Sequence, residues 1–174
     1  LYKSGSGERG IFNRQASKTV AGRNKRRDAD FEFGTNPCSE IILRPFQFCN
    51  LSEVVVREGD TEEDLLDKVE AATILGTMQS TLTNFKYLRR QWKDTTEKER
   101  LLGVSLTGIM DNSIINRRRE RLPEILQSMR NKAVVTNKEW AEKLGIPQST
   151  AITCVKPSGT VSQLVDSASG IHAR

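Results

Sequence analysis

The run Thr35-Asn36-Pro37-Cys38-Ser39-Glu40 sets an amide, a thiol and a carboxylate at i, i+2 and i+4. In an extended segment alternate side chains leave the same face, so Asn36, Cys38 and Glu40 would converge on one small volume. Pro37 stiffens the run, removes a backbone donor and biases Asn36 away from the helical region. A donor, a sulfur and a base side by side make a candidate reaction centre. Eleven residues after Cys38, a second thiol stands in Phe48-Cys49-Asn50-Leu51.

A second stretch with chemical content is Lys156-Pro157-Ser158-Gly159-Thr160, leading into Val161-Ser162-Gln163. An apolar strand followed by a Pro-Ser-Gly-Thr turn and a helix start makes an anion site. The first helical amides lack internal partners and carry the positive end of the dipole. Gly159 would let backbone approach a ligand, and the Ser158, Thr160 and Ser162 hydroxyls could donate to phosphate oxygens. The pattern is not the GxxxxGK phosphate loop. Helix capping would explain the same residues, but the position at a strand's carboxyl end favours a binding role.

The elements that must hold these stretches follow from pattern. Residues 1 to 35 read as loop with one short apolar anchor at Gly10-Ile11-Phe12-Asn13. Ile41-Ile42-Leu43 reads as a buried strand end stopped by Pro45, and Leu51 to Val56 as a second strand. Arg44 to Phe48 would connect them and bring Cys49 back towards Cys38. A helix should start at Asp60-Thr61-Glu62-Glu63 and run to about Leu82, and a shorter one from Thr95 through Leu102. Val104 to Ile109 reads as a strand or tight turn. Leu122 to Leu144 reads as one long helix with a possible break near Val134, ended by Gly145 and Pro147, with Met129 and Trp140 in the core. Ala151 to Val155 reads as a buried strand. Alternating strands and helices imply an α/β layout with mostly parallel strands.

Composition sets outer limits. The chain has 174 residues, 36% of them hydrophobic and 28% charged, which fits a folded domain and not a disordered segment. No apolar run approaches the roughly 20 residues that span a bilayer. The net charge of +5 gathers in Arg23-Asn24-Lys25-Arg26-Arg27 and Arg117-Arg118-Arg119. Without interleaved aromatic residues these runs read as solvated faces and not as a nucleic-acid surface. Three cysteines without CxxC spacing and a single histidine argue against a zinc site or a disulfide scaffold, and no metal is expected. A reducing cytosol is the expected compartment. The chain begins Leu1-Tyr2-Lys3 and ends Ile171-His172-Ala173-Arg174, and it reads as a fragment of something larger.

Three motifs together carry a family likeness: Asn-Pro-Cys-Ser-Glu (36 to 40), Phe-Cys-Asn-Leu (48 to 51) and Lys-Pro-Ser-Gly-Thr-Val-Ser (156 to 162). In this order they resemble the catalytic barrel of ribonucleotide reductases. The short interval from Cys38 to Cys49 and the run Glu99 to Asp111 resemble the adenosylcobalamin-dependent, class II triphosphate reductases most closely. Ser39 stands where many relatives carry Gly, and Glu8-Arg9-Gly10 replaces a common Glu-Pro-Gly.

The resemblance implies a fragment of a ten-stranded α/β barrel with a central finger loop, residues 1–174 being one partial domain. It implies that Cys38 is the thiyl radical, Glu40 the base on the ribose 3′-hydroxyl and Asn36 a substrate-orienting amide. Cys49 would be one of two reducing cysteines, its partner coming from an earlier strand outside the chain, while Cys154 would be a small core residue. Pro157, Ser158, Gly159, Thr160 and Ser162 would hold the substrate phosphates. The implied cofactor is adenosylcobalamin. The implied partners are a ribonucleoside triphosphate, thioredoxin or a similar dithiol and, in the parent protein, a nucleotide effector, with no membrane and no direct nucleic acid. The chain alone is expected to be inactive. The rivals are a class I diphosphate reductase large subunit and a basic nucleic-acid-binding module.

Overall fold

A computed structural model describes residues 2–5, 10–117 and 120–173. The two longest helical patterns supply the core. Helix α2 (Glu62–Gln79) begins with a reciprocal capping box, in which the Asp64 N–H donates to Thr61 Oγ1 at 3.2 Å and the Thr61 N–H to Asp64 Oδ2 at 2.9 Å. Asp60, one residue before the cap, accepts from the Arg57 N–H and from Lys68 Nζ. Helix α5 (Leu122–Leu144) runs unbroken past Val134, and Gly145 at φ +64° closes it, as its sequence implied. Leu65 and Val69 of α2 and Ile125, Met129 and Ala133 of α5 bury together against Val54, Leu102 and Val104. Trp140 is only half-buried, with Lys143 Nζ 4.9 Å from its ring, so of the two expected core residues only Met129 is one.

Between the helices lies a parallel strand pair. Strand β3 (Asn50–Val55) lies beside β4 (Leu102–Thr107), Asn50 opposite Leu102 and Val55 opposite Thr107. Such a pair needs a long crossover, which α2 and α3 (Arg90–Glu99) fill. Helix α3 starts earlier than the Thr95 expected and ends at Arg100, whose φ of +46° turns the chain into β4. Ala151 to Val155 is in part a correction to the buried-strand reading: it makes three backbone hydrogen bonds to β4 about the Val104–Thr153 bridge and buries Ile152, but Thr153 is exposed and Val155 is 68% exposed. Its outer edge pairs with nothing among the described residues. An apolar run does not tell a central strand from an edge.

Ahead of this unit, α1 (Arg14–Gly22) replaces the loop expected there. It is capped by Asn13, whose Oδ1 accepts from the Ala16 N–H at 2.9 Å. Strands β1 (Gly34–Thr35) and β2 (Ile42–Leu43) then form an antiparallel hairpin. Short helices α4 (Ser113–Arg117) and α6 (Thr160–Leu164) and two 3-10 turns, Tyr2–Ser4 and Ile109–Asp111, complete the described elements. The arrangement is α/β, with two two-stranded sheets among the described residues and no closed barrel. Glu8, Arg9, Arg118 and Arg119 of the sequence motifs lie outside the described residues.

Candidate active site around the Cys38 hairpin

The hairpin's base is anchored before its tip is shaped. Arg27 and Arg44 both pair with Glu99, Arg27 Nη2 to Oε2 at 2.8 Å and Arg44 Nη2 to Oε1 at 2.9 Å, all three side chains being at most 5% exposed. Gln47 Nε2 donates to the same carboxylate at 2.6 Å, and Arg27 Nη1 donates to the Ile42 carbonyl at 2.8 Å. This corrects the solvated reading of the first basic run, because Arg27 lies in the interior. Phe48 stacks on Trp92 at 4.6 Å and packs edge-on against Phe85, which fixes the approach to Cys49.

The tip is a tight turn and not the extended strand that alternation implied. Pro37 occupies a turn position, Asn36 O accepts from the Ser39 N–H at 3.0 Å, and Asn36 Oδ1 accepts from the Ile41 N–H at 3.0 Å. Ser39 takes φ +65°, the region glycine favours. Asn36 therefore spends its amide oxygen on the turn itself, and Cys38 is exposed at the corner. Turn hydrogen bonds, instead of a common strand face, set the course of the chain from Asn36 to Ile41.

Glu40 points the other way, its side chain 4% exposed and 3.3 Å from Lys156 Nζ. Burial alone would raise its pKa. The Asn36 amide, its own backbone N–H and Lys156 outweigh that and hold the carboxyl below its ordinary value. Lys156, absent from the sequence-derived site, joins the hairpin to the second motif across 116 positions. Its place inside the Lys-Pro-Ser-Gly-Thr run was the available signal.

That second motif is built differently from the expectation. Ser158 is buried and its hydroxyl donates to Glu53 Oε2 at 3.0 Å, while Ser162 Oγ donates to the Gly159 carbonyl at 2.7 Å. Both hydroxyls donate within the fold in this structure. Pro157, Gly159 and Thr160 remain exposed. Gly159 has φ +58°, and no side chain caps the amides of α6. Glu53 is a further residue that the motif reading missed, because it belongs to β3, 105 positions from the serine it receives.

The two remaining thiols face each other over Gly103. A Cβ built on that glycine would lie 3.2 Å from the Cys154 sulfur and 3.3 Å from the Cys49 sulfur. Burial, then each thiol's anionic surroundings (Cys154 and Glu40 for Cys49, Glu40 for Cys154), push both pKa values up to about 12. Cys154 is thus a half-buried member of the Glu40 neighbourhood and not the core residue expected. Cys49 precedes β3 and Cys154 lies on the opposite flank of β4, two strand spacings or roughly 9–10 Å apart in backbone terms. Disulfide reach is about 7 Å between Cα atoms, so β4 keeps the pair from closing on itself.

No protein-family model matches the chain. Curated relatives do, among them two adenosylcobalamin-dependent ribonucleoside-triphosphate reductases. One, from Lactobacillus acidophilus, is 29% identical over 195 residues; the other, from Lacticaseibacillus paracasei, is 30% identical over 199. Each match takes in 96% of this chain. A crystal structure of a B-12 dependent (class II) ribonucleotide reductase superposes with a TM-score of 0.70 at 26% identity over 83% of this chain. The chain is similar to a part of the class II ribonucleotide reductases. It spans about a quarter of these relatives: 26% of the two sequences and 23% of the reductase in the crystal structure. No helix among the described residues is long and apolar enough to cross a membrane.

Proposed function

We propose that this chain is the reactive-cysteine and phosphate-turn segment of an enzyme that reduces ribonucleoside triphosphates to 2′-deoxyribonucleotides, as a partial ten-stranded α/β barrel whose finger loop is the Cys38 hairpin. The observation that carries the reading is the Glu40–Lys156 pair. It brings the cysteine turn and the phosphate turn, remote in sequence, to one place. A sugar whose phosphates lie at Pro157, Gly159 and Thr160 would then present its ribose to Glu40 and Cys38.

In this reading a thiyl radical on Cys38 takes the ribose 3′-hydrogen, and Glu40, ionised and held by Lys156, accepts the 3′-hydroxyl proton. Asn36 orients the sugar through its amide nitrogen, its oxygen being held by Ile41. Cys49 delivers reducing equivalents as the 2′-hydroxyl leaves as water. A thiol with a pKa near 12 stays protonated at neutral pH, so it can give hydrogen along with electrons. The second reducing cysteine belongs to a segment outside this chain, since β4 bars Cys154 from direct bonding. Adenosylcobalamin, the cofactor in the relatives' names, would supply the one-electron oxidation of Cys38. The exposed Cys38 sulfur fits that role, because it can be reached without opening the buried carboxylate and thiols. A thioredoxin-type dithiol would restore the reduced thiols, and the setting is a reducing cytoplasm.

The test is made on the complete protein that carries this segment. CTP and CDP reduction is assayed with a dithiol, with and without adenosylcobalamin. The expected result is cobalamin-dependent deoxynucleotide formation, faster with CTP, and abolished in Cys38→Ser. Turnover only with an added metal-radical subunit would make the protein a class I large subunit, and substantial turnover of Cys38→Ser would remove the radical role.

A further inference from the structure

Cys49 and Cys154 flank β4 at Gly103, and the glycine leaves a notch between their sulfurs. A Cβ there would lie 3.3 Å from the first sulfur and 3.2 Å from the second, so the two are no more than 6.5 Å apart. The backbones that carry them are two strand spacings apart, which bars a disulfide but not a longer link. Passing through a metal ion, with two metal–sulfur bonds of about 2.3 Å, widens the sulfur–sulfur span from about 2 Å to about 4.5 Å. No group of three or more Cys, His, Asp or Glu side chains among the described residues could hold a metal, so zinc's demand for four ligands is unmet. The charges nearby are of both signs: Glu40 and Lys156 act on both thiols, Arg27 on Cys49 and Glu53 on Cys154. Leu51 Cδ2 lies 2.4 Å from the same Cβ position and covers the notch with the movable end of its side chain.

We infer that Cys49 and Cys154 form a two-sulfur site for a thiophilic monovalent cation of the Cu(I) class, which bridges the thiols across β4. Soft thiolates select Cu(I), an ion satisfied by two sulfurs in a line. Both thiol protons pass to solvent, two copper–sulfur bonds form and the carrier's ligands are released; no electron moves. The bridge leaves one net negative charge where two free thiolates would leave two, and surroundings that hold Glu40 and Glu53 as well as Lys156 and Arg27 tolerate the smaller charge better. Leu51 turns aside to admit the ion. The inference does not depend on the reaction proposed above, and Cys38, on its exposed corner, takes no part in it.

The experiment uses the complete protein that carries this segment, reduced and freed of small thiols under nitrogen. Cu(I) is offered as its bicinchoninate complex, and transfer is read from the loss of the chelate's colour. X-ray absorption at the copper edge should show two sulfurs and no third ligand. Bound copper should shield Cys49 and Cys154 together from iodoacetamide, read by peptide mass spectrometry. Cys154→Ser should lower Cu(I) affinity about tenfold or more, with the circular dichroism spectrum unchanged, while Cys38→Ser leaves it alone. Gly103→Ala, whose methyl fills the notch, should lower it too. If neither variant folds, the shielding pattern in the unaltered protein decides. Affinity unchanged in a folded Cys154→Ser, a third sulfur on the copper, or shielding of Cys49 with a cysteine outside this chain in place of Cys154 overturns the site.

Discussion

The tip of the hairpin and the floor beneath it treat the same functional group in opposite ways. Cys38 sits on an exposed corner whose backbone is turned through a positive φ and tied by three hydrogen bonds. Cys49 and Cys154 lie over a glycine notch, desolvated and beside a carboxylate. The exposed sulfur is placed by backbone geometry, whereas burial keeps the other two protonated. Behind both, the Arg27–Glu99–Arg44 network keeps the hairpin still.

Thiol chemistry gives the sharpest contrast. At pH 8 iodoacetamide should modify Cys38 first, with Cys49 and Cys154 lagging by about 10³-fold, since only a thiolate reacts. Their rates should climb about tenfold per pH unit towards pH 12, measured by peptide mass spectrometry. Equal rates for all three at pH 8 would erase the contrast. The same shift bears on stability. A thiol raised from 9.0 to about 12 keeps its proton in the folded state, so its contribution is complete below pH 9 and is lost as pH rises towards 12.

Removing the anchor should cost the next most. Glu99→Gln leaves two buried guanidinium groups without a counter-charge, a loss of about 3–5 kcal/mol in the midpoint of urea unfolding. A change below about 1 kcal/mol would mean that the network does not hold the hairpin. The notch should be more forgiving. In Gly103→Ala the new methyl would meet Leu51 Cδ2 at 2.4 Å and both sulfurs at 3.2–3.3 Å. Leu51 is the flexible end of a side chain, so it can shift, and a loss of about 1–3 kcal/mol is expected in the same measurement. The variant should also slow alkylation of Cys49 and Cys154 further and leave Cys38 unchanged.

Much of this molecule was readable from local pattern. The capped start of α2, the Gly145 stop of α5 and the β-branched run of β3 all follow from residue types at fixed spacing. So did the relationship to the reductases, because its motifs are contiguous. The α/β class was legible too, although closure into a barrel was not shown, since the chain spans only about a quarter of its relatives.

What the sequence by itself determined was which residues could react. What only tertiary structure decided was the state in which each is held. Glu40 is held below its ordinary pKa by Asn36, its own backbone N–H and Lys156, which arrives from 116 positions away; Ser158 is occupied because Glu53 reaches it, and Cys154 joins the site because β4 carries a glycine between two sulfurs. Turns, caps and periodicity act over a few residues and are written in neighbouring letters. Charge compensation, burial and the separation of two thiols act through space between distant segments, and only the folded chain brings those segments together.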